Sequence, residues 1–399
     1  MTSTTANTHA ESNLDLFAPE VVADPYPMLA ELRELRPAVY MAKYDFWLLT
    51  RYADVRAAAA DWESYTSAQG VALTPEFNQN LAGSVLATDP PEHDQLRAVL
   101  SEKLAPRGLA KIRADVSSYA DQLVSEVVER GSFDGVIDVA RVFPINVVAD
   151  LVGLPRKGRE RMHPGAEATF AGFGPFTPYV LEHFPEAQSY NEWMATMTNR
   201  ANLAPGSWGE EVMDAVDDGR LTMVGAIKTI SAYMTAGMDT TVNAIGAILR
   251  LFAARPEVWT TLRQEPSLAG AVFEEILRLE SPVTGFFRVT TRDVTIGDAH
   301  VPAGARVMLH WAAANRDPRH YDEPNTFDIR RNPLDHLAFG HGVHNCAGQG
   351  LARIEVISLL QAFIARVDRF ELTSEAVRGL NPVIRSWDSV PLAVTPARS

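Results

Sequence analysis

Apolar and polar positions along the chain fall into a few distinct rhythms. After Asp24-Pro25-Tyr26-Pro27 a helical spacing runs to about Arg36, with proline at its start, where a helix tolerates the missing N–H. Over residues 38–52 apolar and aromatic side chains crowd on both sides of Lys43-Tyr44-Asp45, which predicts a β-hairpin. Helical periodicity returns over 91–153. It recurs as three or more long helices over 221–281, ending at Ser281-Pro282. Residues 288–308 mix β-branched runs with turns and predict a small antiparallel sheet. A helix over 347–367 follows, then loops and short strands. The most apolar long stretch, 224–254, is interrupted by Lys228, Asp239, Asn243 and Arg250, so it predicts a buried helix rather than a membrane span. The pattern as a whole predicts a mainly α fold with a minor antiparallel β region, in one continuous domain over 15–399.

Composition changes this picture little. Hydrophobic residues make up 46% and charged residues 22% of the 399, the balance of a soluble globular protein. A single cysteine permits no internal disulfide and points to the cytoplasm. Residues 1–14 are polar without an apolar core, which predicts a disordered tail and neither a signal peptide nor an anchor. A net charge of −14 argues against nucleic acid or an anionic membrane as partner.

The lone cysteine stands in Phe339-Gly340-His341-Gly342-Val343-His344-Asn345-Cys346-Ala347-Gly348-Gln349-Gly350, and four chemistries compete for that stretch. A small buried hydrophobe fits poorly among so many glycines and histidines. A nucleotide-binding turn would use Gly340 and Gly342, but Asn345 stands where the third glycine belongs. Zinc would draw on His336, His341, His344 and Cys346, yet the spacing is crowded and no second cysteine exists. The fourth is a thiolate ligand to haem iron. Gly340, Gly342 and Gly348 would let backbone approach a flat macrocycle. A helix predicted to begin at Cys346 would offer its N–H groups and dipole to a negative sulfur.

On these residues the stretch resembles the haem-binding loop F-G-x-G-x-H-x-C-x-G of the cytochromes P-450. The resemblance implies Cys346 as metal ligand of haem b (iron protoporphyrin IX), Phe339, Gly340 and Gly348 around it, and His344 on a haem propionate. Asp89-Pro90-Pro91-Glu92-His93-Asp94-Gln95-Leu96-Arg97 resembles D-P-P-x-H-x-x-x-R, whose histidine and arginine lie four apart on one helix face. With Arg288, His93 and Arg97 would complete propionate binding. Ala236-Gly237-Met238-Asp239-Thr240-Thr241 resembles the A/G-G-x-D/E-T of the helix that crosses above the haem. Ala236 would then face the cofactor, Gly237 loosen the helix ladder, Thr240 bond the bound oxygen and Asp239 relay protons. Glu275-Ile276-Leu277-Arg278 resembles E-x-x-R, a structural pair that locks the core behind the haem to residues 315–327. The resemblance runs in order from about residue 24 to the end and implies the P-450 fold with its long central helix.

The implied activity is monooxygenation with O2 and two electrons. No flavin or nicotinamide motif is present, so an iron-sulfur ferredoxin with a separate NAD(P)H-dependent reductase is the implied partner of a monomeric enzyme. Lys103, Arg107, Lys111, Arg113 and Arg353 form the candidate docking patch. By family position the substrate walls are Gln69, Val71, Leu73, Phe170, Phe173, Ser231, Thr235, Val283, Phe286, Arg385 and Trp387, a lining suited to a small flat aromatic. Residues 67–73, 170–175, 202–206 and 281–288 resemble the bacterial branch that oxidises para-substituted benzoates such as 4-methoxybenzoate. That implies hydroxylation or O-demethylation of a small para-substituted aromatic. In that branch serine and arginine hold the carboxylate, whereas here Gln69 and Ser231 stand where an arginine is expected and Ala232 follows. A neutral methoxyphenol, alkylphenol or terpene is the alternative. A haem sensor or carrier without turnover is the alternative of another class, and it has no use for Asp239 and Thr240 together.

Overall fold

A computed structural model describes residues 10–397. Its spine is the helix Met223–Ala254, 32 residues long, whose start is capped by Thr222: the Gly225 amide donates to its Oγ1. Ile230, Met234, Met238, Val242, Ile245, Ile248 and Phe252 are all buried. An apolar surface this broad demands neighbours on several sides. The helices Val142–Val152, Met162–Ala171, Trp208–Asp217 and Ala269–Glu280 pack around it. Behind them Gln349–Arg366 lies along Pro106–Arg130. Pro106–Arg130 ends at Gly131, with φ of 73°, the left-handed cap that glycine adopts without a Cβ clash.

A six-stranded sheet forms the other layer, in the order Glu11–Ser12, Ala38–Met41, Phe46–Leu49, Arg306–Leu309, Phe286–Thr290, Tyr65–Thr66. The predicted hairpin is there, with Tyr40 opposite Trp47. The sheet is mixed, however. Phe46–Leu49 runs parallel to Arg306–Leu309, and Glu11–Ser12 parallel to Ala38–Met41. Alternation along a strand reports its faces and not its distant partner. The same limit explains the N-terminus. Residues 1–9 of the expected tail lie outside the described residues, but Glu11 and Ser12 pair through their backbones with Tyr40 and Met41, and backbone pairing needs no apolar side chain.

The helix Ala269–Glu280 presents two adjacent buried acids toward the loops that follow the sheet. Glu275 grips Arg278 through two hydrogen bonds of 2.7 and 2.8 Å, and neither side chain has any exposure. The remaining Arg278 donors go to the carbonyls of Asn315, Pro324 and Thr326, within the stretch that the motif implied. Asn315 in turn accepts the Leu337 amide at 2.7 Å, just before the cysteine loop. Glu274 takes His336 at 3.0 Å and Arg353 at 2.6 Å, one on each side of Cys346.

Glu275→Ala strips Arg278 of its buried counter-charge, and the expected loss is about 3–5 kcal/mol of unfolding free energy in urea. A variant within about 1 kcal/mol of the parent would mean that the backbone carbonyls suffice to hold the arginine.

Candidate active site

The cysteine loop closes on itself, with the Cys346 amide donating to the Phe339 carbonyl at 2.7 Å. The helix expected to start at Cys346 starts at Gln349, with Gly348 as its N-cap. The intervening residues form a turn. Backbone N–H groups nonetheless reach the sulfur, from Gly348 and Gln349. Burial pushes the Cys346 thiol up, while those amides and the guanidinium groups of Arg97 and Arg353 oppose it. The glycines divide their work differently from expectation. A Cβ at Gly342 would fall 2.4 Å from the Ala59 carbonyl oxygen, and φ there is 72°, so this glycine serves packing against the helix Tyr52–Ala60. Gly348 has no such constraint, since its Cβ would meet nothing nearer than the Cys346 sulfur at 3.9 Å.

Four basic side chains from three separate segments gather beside the loop. The rings of His93 and His344 meet edge to face at 4.6 Å. His93 Nδ1 lies 3.0 Å from Asp94, and His344 Nε2 lies 3.8 Å from Asp89. Arg97 donates to Asn345 at 2.9 Å. Arg288 is buried and donates to its neighbour's carbonyl, that of Phe287. Burial holds the Arg288 guanidinium down to about 10 against the pull of Asp89. Asp89, which the motif only anchored in sequence, is the local organiser. Burial would raise it, but contacts from His344, Thr66 and the Ser67 and Ala68 amides bring it to about 2. Zinc is poorly served by this geometry, because His336 is turned to Glu274, and among the described residues no three His, Cys, Asp or Glu side chains gather to hold a metal ion.

Haem would bring an iron in need of a thiolate and two carboxylates in need of donors, and these residues fit it. The Nε2 atoms of His93 and His344 are buried without a hydrogen-bond partner, a costly condition unless a further acceptor is provided. Beside them Arg97 and Arg288 supply charge suited to a dianion, and the sulfur stands within the field of Arg97.

The central helix carries Asp239 and Asn243 four residues apart on one face, with Thr240 beside them. It stays continuous through 236–241 rather than opening at Gly237. Thr240 Oγ1 donates to the Ala236 carbonyl at 2.9 Å, and Asn243 Nδ2 to the Asp239 carbonyl at 2.8 Å, so side chains add to the ladder there. Asp239 is 1% exposed and its Oδ2 has no partner. Burial, then Glu167, raises its carboxyl to about 8 against the opposing effect of Arg141 and Asn243. His163 Nε2 stands 3.6 Å from Asp239, and His163 Nδ1 stands 3.7 Å from Glu167. Tyr179 donates to Glu167 at 2.8 Å. Burial and Arg141 hold His163 down to about 3, so a protonated acid faces a neutral imidazole at pH 7. The sequence reading missed His163 and Glu167, although their spacing of four on a helical segment was visible.

Of the expected substrate residues, Val71, Phe170, Phe173, Val283 and Phe286 do come together, joined by Phe77, Val383 and Ile384. Phe173 lies 5.1 Å from Phe77, 5.2 Å from Phe286 and 5.9 Å from Phe170. Thr235 stands 3.4 Å from the hydroxyl of Tyr190, a residue of the main core, with Ser231 half-buried and Gln69 exposed. Three others stand apart. Leu73 packs with Phe287 and Met308. Arg385 is held by Glu280 at 3.2 Å and lies over Tyr26. Trp387 belongs to the main core, between the guanidinium groups of Arg250 and Arg378. Sequence position alone did not tell which face of the 377–389 segment turns inward.

Among the described residues no helix is long and apolar enough to cross a membrane. A model of the family "Cytochrome P450" matches residues 210–381. Over 96% of this chain and 94% of the relative, the sequence is 37% identical to cytochrome P450 CYP199A2 of Rhodopseudomonas palustris. It is 30% identical to the beta-dihydromenaquinone-9 omega-hydroxylase of Mycobacterium tuberculosis, over 96% of this chain and 79% of that one. The structure of cytochrome P450 CYP109Q5 from Chondromyces apiculatus superposes with a TM-score of 0.83 at 29% identity, covering 98% of this chain and all of the other. Likeness of this extent in sequence and fold, spanning the cysteine loop and everything that positions it, makes the chain a member of the cytochrome P450 family of haem b-dependent monooxygenases.

Proposed function

We propose that this enzyme hydroxylates or O-demethylates a small para-substituted aromatic compound of the 4-methoxybenzoate kind, with electrons delivered by an iron-sulfur ferredoxin and its reductase. The observation that supports this most is the cluster of Phe77, Phe170, Phe173 and Phe286, whose rings offer faces and edges to a flat ligand. Cys346 is the metal ligand, and His93, Arg97, Arg288 and His344 hold the two propionates. Haem b bound there supplies dioxygen activation, with a thiolate that favours O–O cleavage.

The chain's own residues manage protons and water. Thr240 keeps its hydroxyl proton on the Ala236 carbonyl, next to the reacting space. Asp239, protonated below about 8, holds the next one. His163, Glu167 and Tyr179 continue a line of exchangeable sites away from the centre, which lets protons be replaced without opening the pocket to bulk water. Oxidation at a methoxy carbon yields a hemiacetal that releases formaldehyde.

For the electron donor, the exposed Arg107, Lys111 and Arg113 lie at the start of Pro106–Arg130, where Leu109 touches Gly350, four residues past the cysteine. Lys103 is paired with Glu211 and Arg353 with Glu274, so neither is free to serve a partner.

Titration of the ferric protein with 4-methoxybenzoate and 4-methoxyphenol is expected to shift the haem spectrum as water leaves the iron. A shift with a terpene alone would overturn the aromatic assignment. Thr240→Ala should divert electron flow into hydrogen peroxide with little product. Asp239→Asn should slow product formation. It should also lessen a pH dependence: the folded pKa is raised, so this carboxyl costs the wild type stability as pH rises from about 4 to about 8, and the variant lacks that contribution. Equal slopes in denaturation experiments would contradict this. Arg107→Glu with Lys111→Glu should slow reduction by the ferredoxin about tenfold or more at low salt and much less at high salt; an unchanged rate at low salt would remove the patch from electron entry.

A further inference from the structure

Lys228 interrupts the apolar central helix on the side that carries Ser231 and Thr235, since residues three, four and seven apart share a helix face. The residue is half-buried, and its ammonium donates to the carbonyl of the exposed Asn80. Burial holds this lysine below its usual value, and no neighbouring acid offsets that. Asn80 belongs to the helix Pro75–Leu81, which sends Phe77 and Leu81 onto the aromatic cluster. The charge therefore stands where the central helix meets the Pro75–Leu81 helix, whose Phe77 and Leu81 edge the aromatic cluster. An ammonium with one neutral acceptor retains two N–H donors for an anion, and a partly desolvated cation without a carboxylate partner gains most from acquiring one.

Resting on the aromatic reading above, we propose that Lys228 anchors a carboxylate of the substrate and that this substrate is an aryl acid longer than a benzoate. The length follows from the helix. The eight residues from Lys228 to Ala236 span about 12 Å of axis, and helical side chains lean toward the N-terminus, which lengthens the span from anchor to reacting end. A benzoate ring is too short to bridge it, whereas a para-substituted arylpropenoate or arylpropanoate comes much nearer. The lysine also resolves the lack of an arginine at positions 69 and 231: the cation has moved one turn along the helix, and Ser231 lies on the way as a neutral donor.

The test is calorimetric binding of matched acids and amides to the haem-loaded protein: 4-methoxycinnamate with its amide, 4-methoxybenzoate with its amide, and dodecanoate with dodecanamide. The wild type is expected to bind cinnamate more tightly than benzoate, and each acid it binds more tightly than the amide. Lys228→Met and Lys228→Gln should each weaken the acids about tenfold or more and leave the amides within about twofold. Gln keeps a donor for Asn80, so a Gln variant that binds acids like the wild type would reduce Lys228 to a tether of the Pro75–Leu81 helix. Equal losses for acids and amides, or a wild type that prefers no acid over its amide, would also overturn the anchor. If no aryl ligand binds while dodecanoate binds and depends on Lys228, the anchor stands and the aromatic assignment falls.

Discussion

Arg278 is wholly buried, and a guanidinium survives there only because Glu275 and three backbone carbonyls take up its donors. Much of the proximal architecture hangs from that pair. The carbonyl of Asn315 is held by Arg278, while the side chain of Asn315 accepts the Leu337 amide and donates to the buried Ser281 hydroxyl. The neighbouring Glu274 then ties His336 and Arg353, so the chain is pinned just before and just after the cysteine. Glycine supplies the conformational freedom within the loop, and this network removes the freedom around it. A sulfur on a loop thereby acquires the positional accuracy of a side chain on a helix.

The central helix shows the opposite economy. Asp239 interrupts the most apolar long stretch of the chain with one carboxylate oxygen unpaired, a placement that costs stability whenever the group ionises. Its surroundings limit that cost: His163 is held uncharged, burial raises Glu167 above the usual carboxylate range, and the Arg141 guanidinium opposes the rise at both carboxyls.

Much of this was legible in the residues. The cysteine loop, the E-x-x-R pair, the hairpin and the long helix all depend on local spacing, which a chain displays openly. The misreadings share a different character. Gly342 looked like an adaptation to a flat cofactor, but its requirement comes from Ala59, nearly three hundred positions away in the chain. Arg385 and Trp387 occupy the right segment with the wrong orientation, because ion pairing to Glu280 and stacking between two arginines decide which way they turn. Residues 11–12 read as tail because their pairing is carried by the backbone. Lys228 was visible only as a blemish in an apolar helix until Asn80 gave it a location. Long-range contacts and backbone partners leave no periodic trace, so they stay hidden until the chain is folded.

Glu280 gives this pocket an unequal pair of walls. Pinned by Arg378 and Arg385, it fastens the 377–385 segment to the end of the Ala269–Glu280 helix. Backbone bonds from Thr284 to Val383 and from Arg385 to Pro282 stitch the same seam. Across from it the side chains of Phe77, Phe170 and Phe173 meet one another through ring contacts, which lack direction and slide at little expense. Tolerance of ligand size therefore belongs to the ring side, and substitutions accumulated there would diversify what the enzyme accepts while the charged side keeps the reacting end in register.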